Sequence, residues 1–229
     1  MRYIATIILV VTTTFLAHSQ TYEVGAMIGG ANYIGDVGRT NYIAPNSLAF
    51  GGIFKWNRSP RHSFRASVLV ANIKGDDADS NQGRRKQRGL SFSNTVSEVS
   101  LGMEYTFWEF SMYSGKPAST PYLYTGLTYF WYDALENSDG IITSYGGASD
   151  IAIPMVVGYK TSLANRFVLG FEIGARYTFT DDLDGSNPVN DKEDFQSLKF
   201  GNTNNNDWYV FTGITLTVTF GRKPCYCNF

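Results

Sequence analysis

The sequence predicts an all-β fold, an eight-stranded antiparallel transmembrane β-barrel of the up-and-down kind. Three observations carry this reading. Apolar and polar residues alternate with period two from Tyr22 onward, eight stretches show the pattern, and the connections between them alternate long and short. The composition agrees: 43% of the 229 residues are apolar, 15% are aromatic and 23 are glycine, too much aromatic and glycine for a disordered chain or a coiled coil. A formal net charge of −1 and a pI near 6.1 leave no clustered basic excess of the kind a nucleic-acid partner requires.

Residues 1–19 read as a secretory signal peptide. Arg2 supplies the positive start, residues 4–16 are uncharged and mostly apolar, and Ala17-His18-Ser19 puts small residues at the −3 and −1 positions. Without this segment the chain carries 18 basic against 20 acidic residues, and His62 is its one histidine. Residues 20–220 are expected to form the barrel and residues 221–229 a periplasmic tail. Beyond residue 20 no run of 18 apolar residues exists, so the membrane is expected to be crossed by strands and not by helices.

Strands are predicted near residues 22–30, 48–57, 63–74, 93–109, 121–132, 151–161, 167–180 and 207–220. The seventh shows the alternation clearly: Phe167, Leu169, Phe171, Ile173, Ala175, Tyr177 and Phe179 lie on one face, with Val168, Gly170, Glu172, Gly174, Arg176 and Thr178 on the other. Long connections are expected at 31–47, 75–92, 133–150 and 181–206, and shorter ones at 58–62, 110–120 and 162–166. Long loops at one end and short turns at the other are the pattern of a bacterial outer-membrane barrel with both termini periplasmic. A soluble barrel alternates too, but the glycines argue against it. Gly25, Gly29, Gly51, Gly102, Gly126, Gly158, Gly170, Gly174 and Gly213 all share the polar face, where a crowded lumen needs small volume and a solvated exterior does not. The apolar face therefore turns toward outer-membrane lipid. Trp56, Phe64, Phe107, Trp108, Phe167 and Phe220 are expected in one aromatic girdle, and Tyr33, Tyr129, Trp131, Tyr177, Phe179 and Trp208 in the other.

The inward face carries Glu23, Glu98, Glu104 and Glu172 against Lys55, Arg65, Lys160 and Arg176. An eight-stranded lumen holds side chains but no channel, and unpaired charges there are costly. The eight residues are read as an ion network that plugs the lumen, in preference to a proton or ion path.

Signals for chemistry are sparse. Small outer-membrane barrels that modify lipids use Ser-His or Asp-His pairs, whereas His62 sits in the turn Arg58-Ser59-Pro60-Arg61-His62 and reads as a solvated turn residue. The loop from Asp181-Asp182-Leu183-Asp184-Gly185 through Asp191-Lys192-Glu193-Asp194 is acidic enough to hold Ca²⁺, yet Gly185 and Pro188 depart from the D-x-[DN]-x-[DN]-G pattern, so a hydrated surface loop is expected. Arg84-Arg85-Lys86-Gln87-Arg88 reads either as a contact for anionic lipopolysaccharide or as a solvated stretch. No phosphate loop, zinc spacing or nucleotide fingerprint is present, and no cofactor is expected. In the tail, Cys225 and Cys227 are too close in sequence for an easy intramolecular disulfide. A bridge to another protein and an inert or locally closed pair both stay open.

A set of short motifs, in order, resembles the PorG family of the type IX secretion and gliding apparatus of Bacteroidota. They are Asn32-Tyr33-Ile34-Gly35-Asp36, Gly75-Asp76-Asp77, Arg88-Gly89-Leu90-Ser91-Phe92, Pro121-Tyr122-Leu123-Tyr124-Thr125-Gly126, Ile153-Pro154, and Glu172-x-Gly174-x-Arg176-Tyr177-Thr178-Phe179-Thr180-Asp181. After Asp181 the chain departs from the family's aromatic-Leu-Asp-Asp with Asp182-Leu183-Asp184-Gly185. The resemblance implies a non-enzymatic protein that anchors a periplasmic ring, formed by the lipoprotein PorK or GldK with PorN or GldN, to the outer membrane. On that reading the periplasmic turns and tail make the contact, and Cys225 or Cys227 forms its covalent part. The other classes are a small OmpA/OmpX-like surface barrel acting as adhesin or protective module, and a lipid-modifying enzyme.

Overall fold

The computed structural model describes residues 21–112, 117–163, 166–188, 198–202 and 204–221. The segment expected as a signal peptide, residues 1–19, and both cysteines, Cys225 and Cys227, lie outside these residues.

Eight strands form a closed antiparallel ring in chain order: β1 (Thr21–Ile34), β2 (Ser47–Asn57), β3 (His62–Asp76), β4 (Ser91–Thr106), β5 (Ser119–Ser138), β6 (Ile141–Ser162), β7 (Phe167–Thr178) and β8 (Trp208–Gly221). β1 closes on β8 in unbroken register from Thr21↔Gly221 to Ile34↔Trp208, so the wall has no free edge there. Outward positions are apolar and bare: Ile28, Phe50, Leu101 and Val157 expose 67%, 59%, 62% and 61% of their surface. An exterior of this kind is stable only against lipid, and a closed barrel keeps every ladder hydrogen bond internal while it crosses the bilayer. The fold is therefore a transmembrane barrel.

The inward glycines set the spacing of the wall. Gly102 on β4 lies directly opposite Gly126 on β5, and a Cβ at Gly126 falls 2.9 Å from the carbonyl carbon of Leu101. A Cβ at Gly158 would instead enter the ring of Tyr122, so the missing side chain there leaves room for an aromatic one.

One expected loop is absent. Residues 133–150 are not a long connection, because β5 and β6 continue to a two-residue turn at Asp139 and Gly140, whose φ values of 53° and 86° fit the type I′ hairpin. β4 pairs with β5 only as far as Ser97↔Trp131, and β7 with β6 only as far as Ala152↔Thr178. The rest of the β5–β6 hairpin stands beyond the rim as a two-stranded arm of roughly 24 Å, at about 3.4 Å per residue. The residues between β3 and β4 hold a 3-10 turn (Asp77–Asp79) and a short helix α1 (Gly83–Arg88), ended by Gly89 at φ 69°.

The aromatic girdles also need one correction. Tyr33 is 4% exposed and faces inward, as its parity with Glu23 and Gly25 requires, so it belongs to the interior and not to the lipid boundary.

Candidate functional site

The structure brings seven of the eight inward charges into two linked groups, all of them buried. In the first, Glu104 on β4 receives Lys55 Nζ of β2 at 2.7 Å and Lys160 Nζ of β6 at 2.6 Å, with Arg65 Nη1 of β3 at 4.0 Å. Arg65 turns its guanidinium to Glu172 on β7 and donates two parallel hydrogen bonds of 2.7 and 2.8 Å. In the second, Arg176 of β7 donates to Glu98 of β4 at 2.8 Å. Glu23 stands apart: its carboxylate accepts from Asn57 Nδ2 at 2.8 Å and Thr217 Oγ1 at 2.9 Å, and no ion pair to it occurs among the described residues. A count of four against four thus conceals an uneven distribution, with one carboxylate serving three cations and another held by neutral donors.

Neutral partners complete the network, and the charge count alone overlooks them. The Tyr122 hydroxyl donates to Glu172 at 2.7 Å and the Tyr209 hydroxyl to Glu98 at 2.8 Å, while the guanidiniums of Arg65 and Arg176 lie 4.7 and 4.8 Å from the rings of Tyr124 and Phe211. The signal for them was present, since each aromatic shares the parity of the glycine-bearing face.

The lumen is covered at both ends. At the short-turn end, residues 107–112 fold back beneath the barrel. Phe110 N donates to Pro60 O at 3.0 Å, and its ring lies 4.7 Å from Lys160 Nζ. At the other end three connections form a lid around Leu183, which is fully buried with Val37, Tyr33, Leu90, Ile73, Phe130 and Tyr209. Carboxylates tie the lid to backbone. Asp184 accepts from the amides of Asp36 and Val37 at 3.1 and 3.0 Å. Asp77 accepts from Gly38 N at 2.9 Å, Leu90 N at 3.1 Å and Arg88 Nε at 2.8 Å, and Arg88 also donates to Asp36 O at 2.7 Å. Asp207 accepts from the Tyr33 hydroxyl and from Leu183 N. Asn94 stitches the split between β4 and β5: its amide oxygen accepts from Asp133 N at 3.0 Å and its NH₂ donates to Asp133 O at 2.8 Å.

The lid overturns two expectations. The opening of the acidic loop is not hydrated surface, because Asp181, Asp182 and Asp184 are all buried within the lid, while Asp191-Lys192-Glu193-Asp194 lies outside the described residues. The basic stretch is only partly solvated, since Arg85 donates to Gly38 O at 3.0 Å and Arg88 holds Asp77, leaving Arg84 and Lys86 at the surface. The electrostatics follow from this burial. Burial works against ionisation of Asp77, but Arg88 and the Gly38 amide prevail and hold it below its ordinary range. Burial pushes Asp181 and Asp182 up to about 7, with Asp184 and neighbouring aspartates adding to the effect, and it raises Asp184 and Asp207 as well.

His62 lies at the opposite end, exposed at the start of β3, with Nδ1 3.2 Å from Ser59 Oγ. Among the described residues no three His, Cys, Asp or Glu side chains converge as a metal-ligand set.

The sequence pattern of one family matches residues 1–229 in full. The chain belongs to that family, DUF6089, described as a domain of unknown function. The Tyr33, Asp36, Asp77, Arg88 and Leu90 that build the lid of this DUF6089 barrel come from the motifs that carried the resemblance read from the sequence. No curated protein matches the chain. Among solved structures it is similar to the N-terminal β-barrel domain of Pseudomonas aeruginosa OprF, at 11% identity and a TM-score of 0.47, over 89% of this chain and 98% of that one. It is similar also to Ail, the attachment invasion locus protein of Yersinia pestis (8% identity, TM-score 0.47, 88% and 99% covered), and to Neisserial surface protein A (11%, 0.44, 89% and 96%).

Proposed function

We propose that this DUF6089 chain is a non-enzymatic outer-membrane scaffold of the PorG type, which anchors the periplasmic ring of PorK or GldK with PorN or GldN in protein secretion and gliding. Its short turns and both termini face the periplasm, and its long connections face outward. The observation that supports the reading is the filled lumen. A barrel whose interior is occupied by ion pairs and covered by Phe110 at one end and Leu183 at the other offers partners its two end faces and not a passage. At the short-turn face Phe110 N donates to Pro60 O at 3.0 Å, and the exposed Arg61 Nη2 lies 3.6 Å from Glu109 Oε1.

Deletion of the encoding gene tests the role: loss of secretion and gliding is expected, and their persistence overturns it. Affinity purification from mild detergent tests the partner, with the ring lipoproteins expected in the eluate. Non-reducing gels of wild type and a Cys225→Ser, Cys227→Ser variant test the covalent link, and identical migration removes it. A second reading, a surface adhesin or protective module, draws on the β5–β6 arm beyond the rim. Purification free of ring proteins, with secretion intact, favours that reading.

A further inference from the structure

The outer surface of the wall carries a groove of about 460 Å³ where β4 and β5 diverge. Ser97↔Trp131 is the last pair of that ladder, and across β5 the register sets Trp131 beside Ser149 and Asp133 beside Gly147 of β6. Thr95 of β4, two residues beyond Ser97, lines the groove with them. All six residues share the lipid-facing parity of their strands, so their side chains and the bare Cα of Gly147 border one outward hollow. Asn94 fixes the divergence from within, by holding both the N–H and the C=O of Asp133.

The chemistry of the groove is mixed. Trp131 leaves 46% of its surface bare and meets Tyr129 edge to face at 4.9 Å, which fixes the indole in place. The Tyr129 hydroxyl donates to Ser149 Oγ at 2.8 Å, so the Ser149 proton is left to donate onward. Thr95 Oγ1 gives its own proton to Asn72 Oδ1 at 2.8 Å and keeps its lone pairs. Among the described residues no donor reaches the Asp133 carboxylate, since Asn94 bonds only the backbone of that residue. A bare aromatic ring bordered by hydroxyls and a carboxylate is too polar for an acyl chain, and with no lysine or arginine in the lining it repels phosphate.

From this arrangement we infer a binding site for the sugar ring of a membrane glycolipid. A hexose has an apolar C–H face to lay on the indole and a rim of hydroxyls that both donate and accept, which matches what Asp133, Ser97, Ser149 and Thr95 offer between them. An ammonium head group donates only, and leaves the onward proton of Ser149 without an acceptor. The depth of the groove selects the source. Trp131 lies two residues beyond the Tyr129↔Ile151 pair, where the aromatic girdle marks the edge of the hydrocarbon, and the exposed Leu127, Leu101 and Ile153 line the wall beneath to receive the chains. On the orientation proposed above this is the outer leaflet; the sugar chemistry depends on neither that orientation nor the ring.

The test uses the full mature chain, labelled with fluorotryptophan and folded in uncharged, sugar-free polyoxyethylene micelles, with heat-modifiable migration on gels as the check of folding for every sample. The 4 tryptophans give separate fluorine signals, and Trp131→Phe assigns the one in the groove. Dodecyl maltoside is titrated in as a single-chain glycolipid, in parallel with free maltose and with phosphatidylethanolamine. The Trp131 signal is expected to shift saturably with dodecyl maltoside while that of Trp208, in the same girdle, does not follow. Maltose, which lacks the anchoring chain, is expected to need at least about tenfold more. Asp133→Ala keeps the Asn94 bonds to the backbone and is expected to weaken the glycoside about tenfold, the loss of a hydrogen bond to a charged group. Gly147→Leu, where a Cβ meets nothing within 4 Å, fills the groove and is expected to fold and to abolish the shift. No saturable Trp131 shift in folded wild type, an equal shift at Trp208, or wild-type binding by either variant overturns the site. Phosphatidylethanolamine that binds as well as the glycoside overturns the sugar, and maltose that binds as well overturns the membrane source.

Discussion

Arg65 on β3 and Glu172 on β7 meet across the interior from opposite sides of the eight-stranded ring, joined by two parallel hydrogen bonds of 2.7 and 2.8 Å. Neither side chain has water to fall back on, so removing one leaves the other as an uncompensated buried charge. Arg65→Met is expected to lower barrel stability by about 3–5 kcal/mol. Arg65→Met with Glu172→Leu is expected to recover at least half of that, because both charges then leave together. Equilibrium urea unfolding in lipid vesicles, followed by tryptophan fluorescence, measures the difference. A double variant no more stable than the single one would show that the pair itself carries the stability.

The facing glycines of β4 and β5 set a second expectation. Gly126→Val places methyl groups against the backbone of Leu101 and Gly102, which neighbouring strands cannot yield without losing register. Failure to form the heat-modifiable species is expected on refolding. Gly146→Val in the β5–β6 arm, where a Cβ meets nothing within 4 Å, is the control and is expected to fold as wild type does.

Asp77 joins two connections of the lid and can be removed without touching the barrel wall. Asp77→Ala leaves the amides of Gly38 and Leu90 without their acceptor and frees Arg88, at about 1–3 kcal/mol for each buried group left unpaired. Rapid proteolysis within residues 77–90 is expected, with the urea midpoint of the barrel unchanged. A midpoint that falls in step with the cleavage would mean that lid and barrel unfold as one unit.

The lid should also respond to pH. Asp181 and Asp182 rise from 3.8 to about 7 on folding, because burial and the neighbouring aspartates disfavour their charged forms. The folded state therefore holds these protons more tightly than the unfolded state. That contribution is fully present below the ordinary carboxylate range and is lost as pH rises through about 7. Hydrogen exchange of residues 35–46 and 179–188, corrected for intrinsic rate, is expected to be faster above about pH 8 than below about pH 5. Asp181→Asn with Asp182→Asn should flatten the dependence. An unchanged slope in that variant would assign the titration to other groups.

Much of the wall could be read from the sequence, because parity in a strand is a local property. Once Phe171 faces lipid, Glu172 and Gly170 must face the lumen, and the eight inward charges follow from that rule alone. Which charge meets which was not legible. The partner of Arg65 is 107 residues away, and only ring closure and register put β3 opposite β7. The lid was hidden for a related reason. Asp, Gly, Ser and Asn compose hydrated loops and tightly bonded ones alike, and only the tertiary fold shows that Leu183 is buried and that Asp184 accepts from Asp36 and Val37. The β5–β6 arm was missed despite a clear signal: Asp139-Gly140 is a strong hairpin turn, and the flanking Ile141, Ile142 and Leu135 could have been taken as strand.

The cross-lumen pairs also have a mechanical consequence. A tube of hydrogen-bonded strands is soft toward flattening, since strands can tilt about their ladders while keeping every bond. Here the chords run from β3 to β7, from β7 to β4, and from β2 and β6 to β4, so squeezing the tube along one axis stretches or compresses an ion pair along another. A load applied at one rim then reaches the other through a solid cross-section, and the barrel behaves as a rod set in the membrane and not as a hose.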